Sequence, residues 1–222
     1  MIKLWGRTSS FNVQKVQWVL AELGLTEGKD YERIDAGLEY GINNTPEFLK
    51  INPNGLVPTI DHDGFVLWES STVIRYLVAY FDPEGKIFTN DIKNMHSSQK
   101  WMDWHATTLW PILRHTFVGL TRTPEAKRNY ELIRKSYEDS SKLLKMFEDA
   151  LHGQDYCGGS KFHLGDMCLA VCVARWKLLA QDFPQHIGPK PDYPLIDAWM
   201  KRLLNNTKYP LVAETKLIIM AS

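Results

Sequence analysis

The stretch Asn52-Pro53-Asn54-Gly55-Leu56-Val57-Pro58 is the starting point for working out the fold of this 222-residue chain. A proline is unusual within a strand, because it has no N–H to donate to the neighbouring strand. Residues 56–60 and 65–68 are mainly apolar and flank Asp61-His62-Asp63-Gly64. This pattern predicts two strands joined by a tight turn, and such a turn makes the two strands antiparallel.

Upstream of this hairpin, the apolar pattern changes from strand to helix and back to strand. Residues 2–5 predict a short strand, and apolar residues then recur at helical spacing from Val13 to Leu23. Residues 31–35 predict a second strand, and a helix that connects two successive strands makes them parallel. Thr45 and Pro46 predict a short helix, with the threonine as its cap and the proline in its first position.

Downstream of the hairpin, the pattern is helical. Residues 71–81 predict a helix, which Asp82-Pro83-Glu84-Gly85 ends. Beyond this break the sequence predicts a series of helices and a short final segment; the helices cover residues 91–122, 123–152, 166–181 and 195–205. A mixed α/β half followed by an all-α half predicts two domains, at residues 1–81 and 91–222, with a linker at residues 82–90.

Composition argues against several classes of function. The chain has 26 basic and 26 acidic side chains, so it lacks the basic excess that is typical of nucleic-acid binding. No apolar run approaches the roughly 18 residues of a membrane span, and the first residues do not resemble a signal peptide. Three cysteines, an odd and sparse number, are typical of reduced thiols in the cytoplasm. Cys168 and Cys172 lie on one helix face, but no second ligand pair completes a metal site.

Four short motifs occur in order along the chain. They are Ser10-Phe11-Asn12-Val13-Gln14-Lys15-Val16, Asn52-Pro53-Asn54-Gly55-Leu56-Val57-Pro58, Leu67-Trp68-Glu69-Ser70 and Leu164-Gly165-Asp166-Met167. Through them the chain resembles the glutathione transferases along essentially its whole length, and most of all a bacterial branch near the theta, beta and nu classes. The resemblance implies an α+β fold, in which a thioredoxin-like N-terminal domain precedes an all-α C-terminal domain.

The resemblance also implies an activity and its partners. Glutathione is expected as a co-substrate, with no tightly bound cofactor, and the second substrate is expected to be a small electrophile, as in detoxification. A homodimer in the cytoplasm is expected as well. Other functions stay open: a glutathione-dependent disulfide reductase, dehalogenase or isomerase, or a protein that binds glutathione or another ligand without catalysis.

The second and third motifs contain the residues that the resemblance implies for glutathione binding. In the family the Val57-Pro58 bond is cis, and the Val57 backbone pairs with the cysteinyl residue of glutathione like one rung of a sheet. Ser70 and Glu69 stand at a predicted helix start and are implied to bind the γ-glutamyl carboxylate and ammonium. An ordinary helix cap is the alternative interpretation of both residues.

The glycyl carboxylate of glutathione has no evident cation in this sequence. Many relatives carry a basic residue for it, but the matching positions here are Leu56 and Asn43. Leu56 offers no polar side chain, so Asn43 is the implied, uncharged partner. Arg7 is an alternative cation if its loop turns inward.

Activation of the glutathione thiol is assigned to the first motif. The thiolate is the nucleophile, so the pKa of the thiol has to fall below its reference value of about 8.5. Ser10 matches the serine of theta and zeta enzymes, and Asn12 matches the asparagine of the nu type. Ser10 is therefore the expected hydrogen-bond donor to the thiolate, and Asn12 a second or alternative donor. Thr8 and Ser9 are near alternatives, and all four also fit a purely capping role.

The helical half carries two further expectations. By register with theta relatives, Thr107 and Trp110 face the pocket for the electrophile, although such aromatic residues are equally typical of a core. Asp166 stands at a helix start and is expected to be structural. His163 takes the place of the serine or threonine that the family often has three residues before it, and is expected to be a poorer cap.

Overall fold

The computed structural model describes residues 1–213 and 216–220 and contains two compact units. The first unit comprises Met1–Phe88 and Thr207–Val212. The second comprises Thr89–Asn206 and the described residues from Ala213 onward. The sequence predicts residues 207–212 as part of the helical domain, whereas the structure groups them with the first unit.

The first unit is built around a sheet of four short strands in the order β2-β1-β3-β4. The strands are β1 (Ile2–Trp5), β2 (Tyr31–Ile34), β3 (Thr59–His62) and β4 (Phe65–Trp68). β1 runs parallel to β2 and antiparallel to β3, and β3 is antiparallel to β4. The predicted parallel pair and the predicted hairpin are both confirmed.

Three helices, α1 (Phe11–Glu22), α2 (Pro46–Ile51) and α3 (Ser70–Phe81), complete the α+β unit. α2 begins as predicted, because Thr45 Oγ1 accepts a hydrogen bond from the Phe48 N–H at 3.3 Å. α1 and α3 pack against each other. The buried core of the unit includes Leu4, Val16, Leu20, Ile60, Val73, Ile74 and Leu77.

β3 begins at Thr59 and not at Leu56 as predicted. The buried Asn52 explains the difference, since its Nδ2 donates to the Leu56 carbonyl and to Thr59 Oγ1, both at 2.9 Å. Asn52 Oδ1 also accepts a hydrogen bond from the Asn54 N–H at 3.0 Å. An asparagine that bonds nearby backbone groups favours a loop over a strand. Residues 52–58 therefore form a loop ahead of β3, and the hydrogen bonds of the Asn52 side chain hold this loop.

The second unit is all-α, as predicted. Its helices are α4 (Ile92–Trp104), α5 (Trp110–Thr121), α6 (Tyr130–Ala150), α7 (Leu164–Asp182), α8 (Pro184–Ile187) and α9 (Pro194–Asn206). The short helix α8, which Pro184 opens, was not among the predicted elements. Within the described part of the chain, no helix combines the length and the apolar character that a membrane crossing requires.

The helix predicted over residues 91–122 is in fact two helices, joined by a π-helical turn at His105–Leu109. In this turn the Trp110 N–H donates to the His105 carbonyl, five residues back. Pro111 follows in the first turn of α5 and has no N–H to offer to the Thr107 carbonyl. A proline at this point favours a local change in the bonding pattern, which the apolar periodicity does not reveal.

The helix predicted over residues 123–152 begins seven residues later, at Tyr130. Thr123 and Pro124 lead only into a single 3-10 turn at Glu125–Lys127. The effective cap is Asn129, whose Oδ1 accepts a hydrogen bond from the Leu132 N–H at 3.0 Å. The Thr-Pro pattern therefore marks a turn here, and the helix starts where a second capping side chain is in place.

α7 is buried along most of its length and is held at its start by two polar side chains. Asp166 accepts hydrogen bonds from the N–H groups of His163 (3.0 Å) and Cys157 (2.8 Å) and from Trp199 Nε1 (2.8 Å). His163 Nδ1 accepts a hydrogen bond from the Leu164 N–H at 2.9 Å, so this side chain does cap the helix start. Whether it caps less well than a serine or threonine stays a prediction.

Candidate functional site

A loop of residues 6–10 connects β1 to the N-terminus of α1, and Ser10 is its last residue. Ser10 has an extended backbone, and its carbonyl accepts the first helical hydrogen bond, from the Gln14 N–H at 2.8 Å. Its side chain is buried and makes no capping hydrogen bond. As at any helix start, the backbone N–H groups of the first turn are not bonded by the helix itself, and they place a partial positive charge at this point.

Asn12 and Ser70 meet although 58 positions separate them in the sequence. The Ser70 hydroxyl donates to Asn12 Oδ1 at 3.2 Å, so that the start of α3 is bonded to the start of α1. Ser70 is buried, and Asn12 is half-buried. No sequence signal indicates this contact, because it depends on how two helices of the unit are packed.

Glu69 holds an unusual backbone conformation just before α3. Its φ is 69° and its ψ is 104°, in the left-handed region that side chains other than glycine seldom adopt. The side chain is exposed and makes no capping hydrogen bond. The first hydrogen bond of the helix runs from the Val73 N–H to the Glu69 carbonyl at 2.9 Å. The N–H groups of residues 70 and 71 therefore have no helical acceptor.

The Val57-Pro58 peptide bond is cis, which confirms the prediction for this position. Val57 is half-buried and lies outside the strands. Among the described residues, none forms a hydrogen bond with the N–H or the carbonyl of Val57. Both backbone groups are thus available for an extended ligand, which is the arrangement that strand addition requires.

A cavity of about 80 Å³ connects these elements. It is lined by five of the predicted site residues, namely Asn12, Val57, Pro58, Glu69 and Ser70. The remaining lining residues, which were not predicted as site residues, are Asn52, Asn54, Leu56 and Trp68. Ser10 and Asn43 do not line this cavity. The structure therefore brings together the starts of α1 and α3 with the 52–58 loop around one small space.

Asn43 has a structural role in the loop that precedes α2. Its Nδ2 donates to the Gly55 carbonyl at 2.6 Å and to Asn44 Oδ1 at 3.3 Å. Both hydrogens of the side-chain amide are thereby engaged within the protein. Asn43 can serve as a donor to a ligand only if it gives up one of these two bonds.

Arg7 lies closer to the cavity residues than its position in the sequence indicates. A methyl group added to Gly37 would come within 2.6 Å of Arg7 Nη1 and within 3.3 Å of Val57 Cγ2. The guanidinium group of Arg7 therefore lies where a side chain at residue 37 would be, and the Val57 side chain borders the same space. Gly37 also has a φ of 90°, which independently favours glycine at this position.

Thr107 and Trp110 lie in the second unit, in the π-helical turn and immediately after it. Thr107 is exposed, and its hydroxyl donates to the Asp103 carbonyl at 2.8 Å. The ring of Trp110 is half-buried and lies 5.7 Å from the ring of Phe117. π-helical turns are frequent at functional sites. The role of these two residues at an electrophile pocket stays a prediction.

Comparison with known proteins identifies relatives over nearly the whole chain. Residues 1–79 match the model of the glutathione S-transferase N-terminal domain, and residues 101–206 match that of the C-terminal domain. The chain is 38% identical over 175 residues to glutathione S-transferase GstB of Escherichia coli strain K12. That alignment covers 78% of this chain and 82% of the relative.

Solved structures show the same fold. The chain is similar to the theta class glutathione S-transferase from the citrus canker pathogen Xanthomonas axonopodis pv. citri with glutathione bound, with a TM-score of 0.85 and 34% identity. This similarity covers 97% of this chain and 98% of the other. Glutathione transferase F7 from Populus trichocarpa has a TM-score of 0.80 at 21% identity, covering 96% of this chain and 98% of that one, and this likeness concerns the fold alone.

Proposed function

Because this chain belongs to the glutathione S-transferase family, we propose that it activates the thiol of bound glutathione for attack on a small electrophile. The observation that supports this proposal is the single cavity that joins Asn12, Val57, Glu69 and Ser70. It offers an amide side chain, two helix starts and an open stretch of backbone within one space. Each of these groups suits a different part of the tripeptide.

The γ-glutamyl and cysteinyl parts of glutathione have matching groups around the cavity. The N–H groups at the start of α3 suit the γ-glutamyl carboxylate, because a helix N-terminus attracts anions. The exposed carboxylate of Glu69 can accept hydrogen bonds from the γ-glutamyl ammonium. The Val57 backbone can pair with the cysteinyl backbone. The solved relative with glutathione bound supports glutathione as the co-substrate here.

When glutathione binds in this way, its cysteinyl thiol is directed to the N-terminus of α1. Lowering the pKa of the thiol by about two units requires roughly 2.7 kcal/mol of preference for the anion. The Ser10 hydroxyl, the Asn12 amide and the partial positive charge of α1 are the groups that supply this preference. The thiolate then forms a bond to the electrophilic carbon, and the leaving group departs with its bonding electron pair.

Two residues are candidates for the glycyl carboxylate. Asn43 keeps the role that the family pattern implies only if one of its bonds to Gly55 or Asn44 is exchanged for a bond to the ligand. Arg7 carries a full charge and lies beside Gly37 and Val57. A guanidinium group binds a carboxylate more strongly than a neutral amide does.

The same proposal includes the surroundings of the reaction. Thr107 and Trp110 are proposed to line the electrophile pocket, and conjugation of electrophiles is a detoxification chemistry.

We also propose a cytoplasmic homodimer. An exposed aromatic surface on the first unit supports the dimer: the rings of Phe65 and Tyr76 lie 5.1 Å apart, and those of Tyr76 and Tyr80 lie 5.8 Å apart. Phe65 and Tyr80 are 51% and 57% exposed, and such patches mark interaction sites.

The proposed function is tested by measuring the ionisation of bound glutathione. The purified protein is titrated with glutathione, and thiolate absorbance in the ultraviolet is followed across pH. We expect the pKa of the bound thiol to lie about two units below its reference value of about 8.5. Ser10→Ala should raise this pKa and slow conjugation far more than it weakens binding. If Ser10→Ala leaves turnover unchanged while Asn12→Ala abolishes it, Asn12 is the main donor.

Two outcomes would replace the proposed function with an alternative. Glutathione that binds with an unshifted thiol and without turnover would indicate a binding protein. Turnover of disulfides, of halogenated substrates or of isomerisable substrates in preference to simple conjugation would indicate another glutathione-dependent enzyme. Assays of these substrate classes are therefore run side by side with a standard electrophile.

A further inference from the structure

We infer that Ser70 is a positioning residue for thiol activation, because its hydroxyl orients the Asn12 amide so that an N–H donor faces the thiol of glutathione. The inference rests on the proposed function and deepens it. The family pattern implies a role for Ser70 only in binding the γ-glutamyl carboxylate. The hydrogen bond between the two helix starts assigns the hydroxyl proton to a different partner.

The geometry of the contact carries the inference. Ser70 Oγ lies 3.2 Å from Asn12 Oδ1 and donates to it. Both residues line the cavity, and Ser70 is 7% exposed. No described residue accepts a hydrogen bond from Asn12 Nδ2. The two hydrogens on this nitrogen are therefore available to a ligand in the cavity.

A serine hydroxyl has a single proton, so donation to Asn12 commits it. The side-chain amide of asparagine has an acceptor end and a donor end, and holding Oδ1 towards Ser70 turns the NH₂ group the other way. This orientation decides the sign of the effect on the thiol. An N–H that faces the thiolate stabilises the anion and lowers the pKa, whereas a carbonyl oxygen in the same place would repel the anion and raise it.

The γ-glutamyl carboxylate does not require the Ser70 proton. The backbone N–H groups of residues 70 and 71 have no acceptor within α3, and the helix start adds a partial positive charge. These donors remain when the serine side chain is removed. Loss of the hydroxyl is therefore expected to affect the ionisation of the thiol more than the affinity for glutathione.

The test compares Ser70→Ala, Ser70→Thr, Asn12→Ala and the double variant Ser70→Ala/Asn12→Ala. For each protein, glutathione is titrated at a series of pH values, and the thiolate absorbance at saturation gives the pKa of the bound thiol. We expect Ser70→Ala to raise this pKa by about one unit, from about 6.5 to about 7.5, which is about threefold less thiolate at pH 7. Its dissociation constant should change by less than about threefold, since the backbone donors at the helix start remain.

The matched variants separate positioning from a general loss of structure. Ser70→Thr keeps the hydroxyl and should restore the wild-type pKa. Adding Ser70→Ala to the Asn12→Ala protein should produce no further rise, since the residue that is being oriented is already absent. Thr72→Val removes an exposed hydroxyl from the same turn of α3 and should leave the pKa unchanged.

Three results would overturn the inference. In the first, Ser70→Ala weakens binding strongly and leaves the pKa of the bound thiol unchanged, so the proton belongs to the carboxylate. In the second, the effects of Ser70→Ala and Asn12→Ala on the pKa add independently. In the third, the wild-type protein does not lower the pKa of the thiol at all, and then the proposed function fails together with the inference. Only the third result concerns the wild-type protein, so a failure of the inference about Ser70 can be distinguished from a failure of the proposed function.

Discussion

Glu69 shows how a single residue can be unfavourable for the fold and favourable for the site. A left-handed backbone at a residue other than glycine costs roughly 1–3 kcal/mol. We expect Glu69→Gly to leave the free energy of unfolding unchanged or to raise it by up to about 1 kcal/mol, because glycine adopts this conformation readily. The same change should weaken glutathione binding roughly tenfold, because the carboxylate that meets the γ-glutamyl ammonium is lost. Urea unfolding and calorimetric titration measure the two effects.

Asp63 provides the control for this prediction. It also has a positive φ, 51°, but it lies in the turn between β3 and β4. Asp63→Gly should relieve the backbone in the same way without changing the affinity for glutathione. If Glu69→Gly binds glutathione as tightly as the wild type, the role proposed for the Glu69 carboxylate is wrong.

Most of the candidate site residues could be named from the sequence, but the contacts between them could not be predicted. Val57, Glu69 and Ser70 lie in motifs through which the chain resembles the glutathione transferases, and the structure gathers them around one cavity. The bond between Ser70 and Asn12 and the placement of Arg7 beside Gly37 depend on tertiary packing. Local sequence patterns contain no information about such packing, so these contacts could not be predicted.

At the scale of elements, the start of α7 predicts a pH dependence of stability. Burial raises the pKa of Asp166 from 3.8 to about 6, although three N–H donors act in the opposite direction. The unfolded chain therefore releases this proton at lower pH than the folded protein does. Below about pH 4 the protonated Asp166 adds up to about 3 kcal/mol to the free energy of unfolding. This contribution is lost as the pH rises through about 6.

Asp166→Asn isolates this contribution, because asparagine resembles the protonated carboxyl group and does not titrate. Relative to the wild type, the variant should gain stability as the pH is raised from 4.5 to 7.5, by about 2 kcal/mol. Burial lowers the pKa of His163, which costs stability below its unfolded value, but this effect is present in both proteins and cancels. Urea midpoints at the two pH values give the difference. A difference that stays constant with pH would contradict the raised pKa.

Element types were easier to predict than element ends. β1 and β4 were predicted with their observed bounds, because Gly6 follows β1 and the turn at Asp63-Gly64 precedes β4. The errors occur where a polar side chain or a proline changes the backbone bonding. Asn52 holds the loop before β3, Pro111 follows the π-helical turn, and Asn129 sets the start of α6. Periodicity counts apolar residues and does not register these local bonds.

At the scale of the whole molecule, the exposed aromatic surface predicts the state of assembly. If Phe65 is buried between two copies, Phe65→Glu removes roughly 1.5–3 kcal/mol of apolar burial from each copy and adds a buried charge. We expect the dimer dissociation constant to rise a hundredfold or more. Light scattering after gel filtration at micromolar concentration measures the change from dimer to monomer.

Leu211 serves as the matched position for this prediction. It belongs to the same unit, is 72% exposed and lies outside the aromatic surface. Leu211→Glu should leave the dimer intact. A wild-type protein that elutes as a monomer would contradict the proposed assembly, and equal dissociation by both variants would contradict the choice of surface.

The return of residues 207–212 to the first unit has a consequence for synthesis of the chain on the ribosome. Tyr209 stacks on the buried Trp18 with ring centres 4.5 Å apart, and Glu22 accepts hydrogen bonds from both Trp18 Nε1 and the Lys208 N–H. The sheet and its three helices emerge first, yet the last side chains to cover Trp18 follow only after residues 89–206 of the helical unit have been translated. In the nascent α+β unit the Trp18 ring is therefore still uncovered, and a translation pause before residue 207 prolongs the time for which it stays so.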